Sequence, residues 1–171
     1  MRNVLTYMHL NQPQEADELL MNLLRHRRPL PWQVLAEVVH SRLRYPGYLG
    51  DMPHTWIGAE YARTIFGMLA HEDDDRLALL LGTPPSWVAG EGLKVEDLPT
   101  LYGSLSMSAR QSGKQLRVKL GSGLGKDTAL SISWPNRQKP LRVSVDGKQI
   151  TDFDANGIRL GKPFKELVAE W

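Results

Sequence analysis

Up to about residue 75 apolar residues recur at helical spacing; beyond it they alternate as in strands. Between Pro13 and Arg27, Ala16, Leu19, Leu20, Leu23 and Leu24 form one apolar stripe, which predicts an amphipathic helix. Pro13 suits a first helical turn, and Glu15, Asp17 and Glu18 sit near the positive end of the helix dipole. Arg25, His26, Arg27 and Arg28 crowd the other end, where cations are favoured. With no aromatic residues interleaved, this basic run reads as a helix terminus and not as an anion site. Pro29 and Pro31 break the chain, Trp32 to Val39 is a helical turn or an extended piece, and Tyr45 to Gly50 marks a loop. A second helix is predicted from about Pro53 to Ala70. Ile57, Tyr61, Ile65, Met68 and Leu69 line one side of it, and Trp56, Ala59, Ala62 and Phe66 line another. A helix this apolar is normally buried on more than one side, yet 171 residues hold few helices to bury it.

From Leu77 onward the pattern is β. Leu77 to Leu81 is a short apolar run closed by Gly82-Thr83-Pro84-Pro85. Alternation follows at Leu93 and Val95, Leu105 to Ala109, Leu116 to Leu120, Leu130 to Trp134 and Leu141 to Val145. Asp146-Gly147 is a hairpin turn before Lys148 to Thr151, and Ile158 to Leu160 and Leu167 to Trp171 complete the set. Many short alternating strands with regular turns predict an antiparallel β-sandwich. The reading is therefore α+β, with a helical segment over 1–75 and a β-sandwich domain over 76–171, the boundary being soft.

Composition narrows the function only by exclusion. The 21 Lys+Arg against 19 Asp+Glu leave a net charge of +2, too even to argue for nucleic acid or an anionic membrane as partner. No cysteine is present, so disulfides, thiolate metal sites and a Cys nucleophile are out. No apolar run approaches the roughly 20 residues needed to span a bilayer. Polar Thr6, His9, Asn11 and Gln12 interrupt the N-terminus where a signal peptide would be apolar. The chain reads as soluble and untargeted, with the cytoplasm as the default compartment.

The segment from Trp32 to Trp56 concentrates chemistry that suits sugars: Trp32, Glu37, His40, Tyr45, Tyr48, Asp51, His54 and Trp56. Aromatic rings pack on sugar C–H faces, His and Asp hydrogen-bond hydroxyls, and glycoside cleavage uses a pair of carboxyl groups. An aromatic-rich helix entrance is more often core than pocket, so this signal alone does not decide. Gly121-Ser122-Gly123-Leu124-Gly125-Lys126 lacks P-loop spacing and lies between strands, which makes it a turn. His71 to Asp75 reads as a solvated linker, and His9, His26 and His40 lack metal-ligand spacing, so no metal and no cofactor is expected.

Gly50-Asp51-Met52-Pro53-His54-Thr55-Trp56-Ile57-Gly58-Ala59-Glu60-Tyr61 resembles the start of the last inner helix in six-hairpin glycoside hydrolases, in particular bacterial α-L-rhamnosidases. The Gly82 to Pro85 turn, Leu98-Pro99-Thr100-Leu101-Tyr102-Gly103, Arg110-Gln111-Ser112-Gly113 and Val145-Asp146-Gly147 follow in matching order. The resemblance covers most of the chain from about Pro13. It implies that residues 1–75 are the remnant of an α/α barrel and that the sandwich packs on that barrel. It implies that His54 faces the sugar, that Glu37 is the general base, and that Trp32 and Trp56 are sugar platforms. Leu35 and Ala36 stand where a Trp is usual and no Arg follows Glu37, which departs from the family pattern. Asp51 is either a further substrate contact or, more simply, the N-cap of the helix. The family's general acid lies in upstream helices that this chain lacks, and one carboxylate does not supply both roles.

Three functional classes follow. The first is a C-terminal glycoside hydrolase fragment acting on carbohydrate, active only with the missing barrel portion; it expects Glu37 and His54 in one cavity. The second is a non-catalytic carbohydrate-binding or protein-interaction β-sandwich, with Trp87, Trp134 and Trp171 as candidate exposed aromatics, although Trp134 reads as core. The third is an inert remnant that self-associates through an exposed helical face.

Overall fold

The computed structural model describes residues 1–27, 34–40, 42 and 50–171. The chain divides into two compact units, Met1–Gly67 and Met68–Trp171. The change of pattern near residue 76 falls inside the hairpin that opens the second unit.

The first unit begins with a helix that the apolar pattern does not announce, α1 (Arg2–His9), which buries only Val4 and Met8, one residue per turn. Asn11, at φ 60°, takes the left-handed conformation that Asn tolerates, and Gln12 N–H reaches back to the Tyr7 carbonyl. This turns the chain into α2 (Pro13–Arg25), whose first residue is the expected Pro13 and whose buried face is Ala16 and Leu20. The basic run ends the helix as expected: Arg25 lies in the last turn, and Arg27 Nη1 donates to the Leu24 carbonyl at 2.9 Å. The two helices pack against each other as a hairpin.

The third helix, α3 (Thr55–Leu69), starts two residues later than the sequence suggests. Its most buried row is Glu60, Thr64, Gly67 and Met68, where an apolar row was expected. Thr64 is accommodated by donating its hydroxyl to the Glu60 carbonyl at 2.6 Å, a bond that hides a polar group inside the helix. The second apolar side stays open, with Trp56 60% and Phe66 49% exposed.

In the second unit, β1 (Ala70–Glu72) pairs antiparallel with β2 (Leu77–Leu79), so His71 and Glu72 belong to a strand and not to a linker. A short helix, α4 (Pro85–Val88), follows the Pro84-Pro85 turn. The remaining strands are β3 (Leu93–Thr100), β4 (Gly103–Ser112), β5 (Gln115–Leu120), β6 (Leu130–Ser133), β7 (Arg142–Val145), β8 (Lys148–Ile150), β9 (Gly157–Leu160) and β10 (Glu166–Glu170). They form a four-stranded sheet in the order β1-β2-β6-β9 and a six-stranded sheet in the order β3-β4-β5-β10-β7-β8. One pair departs from the antiparallel expectation: β2 runs parallel to β6. The long crossover that a parallel pair requires is here β3 to β5, which lie in the other sheet.

Period-two alternation places Leu77, Leu79, Leu130, Ile132 and Ile158 of the smaller sheet in one core with Leu105, Met107, Leu116, Val118, Val143 and Leu167 of the larger. Burying each such side chain contributes about 1.5–3 kcal/mol, which makes this shared core the main stabilising feature of the unit. Asp146 and Gly147, at φ 50° and 77°, form the tight turn that the Asp-Gly pair predicts between β7 and β8. The arrangement is sandwich-like, with two antiparallel-rich sheets on one apolar layer. Among the described residues no helix is long and apolar enough to cross a membrane.

Candidate functional site

Two backbone hydrogen bonds build the site in the first unit. Glu37 N–H donates to the Asp51 carbonyl at 3.1 Å, and His54 N–H donates to the Leu35 carbonyl at 2.8 Å. They fasten the stretch around Leu35–Glu37 to the turn that enters α3, and so bring Glu37 beside His54. Gly50 makes room for this. A Cβ there would lie 2.7 Å from Glu37 Cβ and 2.9 Å from its Oε2, too close for any larger residue without moving Glu37.

The start of α3 corrects one expectation. Asp51 lies four residues before Thr55 and does not cap the helix. His54 holds that position: its carbonyl accepts from Gly58 N–H at 3.1 Å, and its Nδ1 accepts from Ile57 N–H at 3.4 Å. A neutral imidazole accepting at Nδ1 carries its proton on Nε2, so His54 faces its surroundings as a donor. Its ring stacks at 26° on Trp56, with centroids 6.5 Å apart.

Glu37, His54 and Trp56 line one cavity of about 420 Å³, together with Arg2, Asn3, Ile57 and Glu60. The sequence-predicted base, sugar-facing histidine and one platform thus meet. Asp51 does not line this cavity, and Trp32 lies outside the described residues. Donor atoms of Glu37, Asp51 and His54 lie within 4.8 Å of one another, the one group among the described residues spaced to hold a cation. The helix-capping bond works against this use. A metal on Nε2 requires the proton to move to Nδ1, where it would confront the Ile57 N–H. The trio is better described as an imidazole donor beside two carboxylate acceptors.

Sequence reasoning missed Glu60 and Arg2. Glu60 is buried, and its Oε1 accepts from Trp56 Nε1 at 3.4 Å and from Arg2 Nε at 3.3 Å. The Arg2 guanidinium also lies 5.4 Å over the Trp56 ring. Burial pushes the Glu60 carboxyl up, but the hydrogen bonds from Trp56 and Arg2 and the charges of Arg2 and Arg63 outweigh it and hold the group below its usual value. Glu60 is therefore ionised at neutral pH and is an acceptor, not a proton donor. The signal that could have found it was its position four residues after Trp56 on the same helix face.

Of the three sandwich tryptophans, Trp87 and Trp171 are partly exposed and Trp134 is not. Trp134 is fully buried, as its alternation implies, and Trp171 meets it edge-on with centroids 6.0 Å apart. Trp87 is half-buried in α4. No protein-family model and no curated protein matches the chain.

Proposed function

We propose that the chain is the C-terminal part of a glycoside hydrolase-like protein that acts on carbohydrate, of the six-hairpin type and similar to bacterial α-L-rhamnosidases. In this reading the first unit is the end of an α/α barrel, the second is its β-sandwich, and the cavity holding Glu37, His54 and Trp56 receives the sugar. The observation that carries it is the meeting in one cavity of Glu37, His54 and Trp56, three of the side chains singled out from the sequence. Trp56 offers sugar C–H groups the part of its ring that Arg2 and His54 leave exposed, His54 donates to a hydroxyl, and Glu37 is the acceptor placed to activate water. Glu60 orients Trp56 through its indole N–H, and Arg2 lies over its ring. Catalysis waits on a proton donor from further barrel helices, because Glu60 stays ionised and Glu37 alone fills one role. Those helices cover the open Trp56 and Phe66 side of α3, which explains a helix apolar on two sides.

The test is titration of the isotope-labelled chain with L-rhamnose, D-glucose, D-mannose and D-galactose by NMR, beside an assay with aryl α-L-rhamnoside. Saturable shifts at His54 and the Trp56 indole, abolished by Trp56→Ala, with no turnover by the chain alone, are expected. Silence at these resonances for all four sugars refutes the sugar assignment, and turnover by the chain alone refutes the need for further helices.

A further inference from the structure

The second unit carries a groove that the reading above does not use. On the face of the four-stranded sheet opposite the core, His71, Ala78, Ser131 and Arg159 stand in one cross-strand row, with Ser133 beside Gly157 in register further along. The turn between β1 and β2 and the loop before β9 rise around this floor and enclose about 420 Å³. That lies within the range of small-ligand pockets, roughly 300–1,000 Å³.

The walls are fixed by their own bonds. Asp73 pairs with Arg76 at 3.6 Å and His71 at 3.5 Å, and Arg76 also reaches Asp75 at 3.1 Å. Asp154 Oδ1 accepts from the N–H groups of Asn156 and Gly157 at 2.7 and 3.0 Å. Trp134 Nε1 donates to the Asp154 carbonyl at 2.8 Å, and Arg137 bonds the carbonyls of Asn156 and Leu81. Burial pushes Arg137 down to about 10, which leaves it charged at neutral pH. Four lining groups remain without a hydrogen bond or ion pair among the described residues: the hydroxyls of Ser131 and Ser133, the Asp152 carboxylate and the Arg159 guanidinium. Ser133 is nonetheless 91% buried, since only 9% of it is exposed.

This unspent set consists of one acceptor anion, one donor cation and two hydroxyls that do either, with a net charge of zero. A neutral ligand with several hydroxyls satisfies all four at once, whereas a charged ligand would satisfy one of Asp152 and Arg159 and repel the other. Phe153 supplies apolar surface for C–H groups. We propose that the groove is a second carbohydrate subsite, taking a neutral pyranose. Asp152 accepts from neighbouring hydroxyls, Arg159 donates to them, and Ser131 and Ser133 form the floor.

The experiment follows the Ser131, Ser133 and Gly157 amides and Arg159 Nε–H by NMR in the full chain, against the same four neutral sugars and a non-sugar control, ethylene glycol. The expected result is saturable shifts with at least one sugar and none with the control. Asp152→Ala and Arg159→Ala should each weaken binding about tenfold or more, the equivalent of one hydrogen bond to a charged group. Trp56→Ala should leave these shifts intact, which separates this subsite from the cavity of the first unit. The inference is overturned if no sugar moves these resonances, if the control moves them equally, or if both variants titrate like the unchanged chain. Asp152 is exposed and free of partners, so its variant decides the matter even where Arg159→Ala disturbs the fold.

Discussion

Replacing Trp134 by Phe tests how the groove wall of the second unit is held. Trp134 is fully buried, donates its indole N–H to the Asp154 carbonyl at 2.8 Å and packs edge-on against Trp171. Phe keeps a ring in the core but removes the donor and the second ring. The lost hydrogen bond costs about 1 kcal/mol. A residual void of about 40 Å³, at roughly 24 cal/mol per Å³, adds about 1 kcal/mol. Part of the aromatic pair, about 0.5 kcal/mol, is lost as well. The sum of about 2–3 kcal/mol is a large share of the roughly 5–15 kcal/mol that holds a domain folded. Trp134→Ala, at about 3–5 kcal/mol, should leave the unit close to unfolding. Urea denaturation followed by far-UV circular dichroism avoids the fluorescence of the residue removed. Amide exchange at Asn156 and Gly157 reports the wall itself and should speed up in Trp134→Phe beyond what the global loss accounts for. A loss below about 0.5 kcal/mol with unchanged exchange would refute the reasoning.

Gly157→Ala should destabilise the second unit by about 1–3 kcal/mol in urea melts, because the new Cβ would stand 2.1 Å from the Ile132 carbonyl oxygen and strand pairing must shift; unchanged stability would mean the backbone yields freely. His54→Ala should cost the first unit about 1 kcal/mol and His54→Asn much less, since Asn also caps; equal losses in thermal melts would remove the capping role. The carboxyls of Asp154 and Glu166 sit below their ordinary values, held by the backbone N–H groups of Asn156 and Gly157 and by the side-chain bond from Arg117 respectively. A lowered folded value means the unfolded chain takes up the proton first, so this stability is complete above about pH 5 and drains away as pH falls through about 4 and below. Urea midpoints between pH 7 and pH 3 should show that decline, and Glu166→Gln should flatten part of it; an identical profile in the variant would refute Glu166's share.

The elements were legible wherever one face is buried and the period is clean. Ala16 and Leu20 mark α2, and the alternation from Leu105 through Ala169 marks the strands that share the core. Elements that bury little were not. The helix α1 contributes only Val4 and Met8, and β1 is three residues whose alternation cannot be told from a linker. Strand order was beyond reach for a different reason. The parallel pairing of Leu77–Leu79 with Leu130–Ile132 joins segments about fifty residues apart, and periodicity says which face a residue takes but not which strand lies beside it.

The site divides along the same line. His54 and Trp56 sit close in sequence at a helix entrance, and a motif reveals such neighbours. Glu37 reaches them only through the paired backbone of Leu35–Glu37 and Asp51–His54 and the absence of a side chain on Gly50. Glu60 hides for the opposite reason: a charged residue on a helix is read as solvated, yet here it is buried under Trp56 and Arg2. Its donors hold it ionised, and the proposed roles rest on that. On the proposed reading, Glu60 as an ionised acceptor and His54 with its Nε2–H would orient hydroxyl groups in the cavity. Glu37 lines the same cavity with no side-chain partner among the described residues, which is why the proposed reading gives it the part of acceptor.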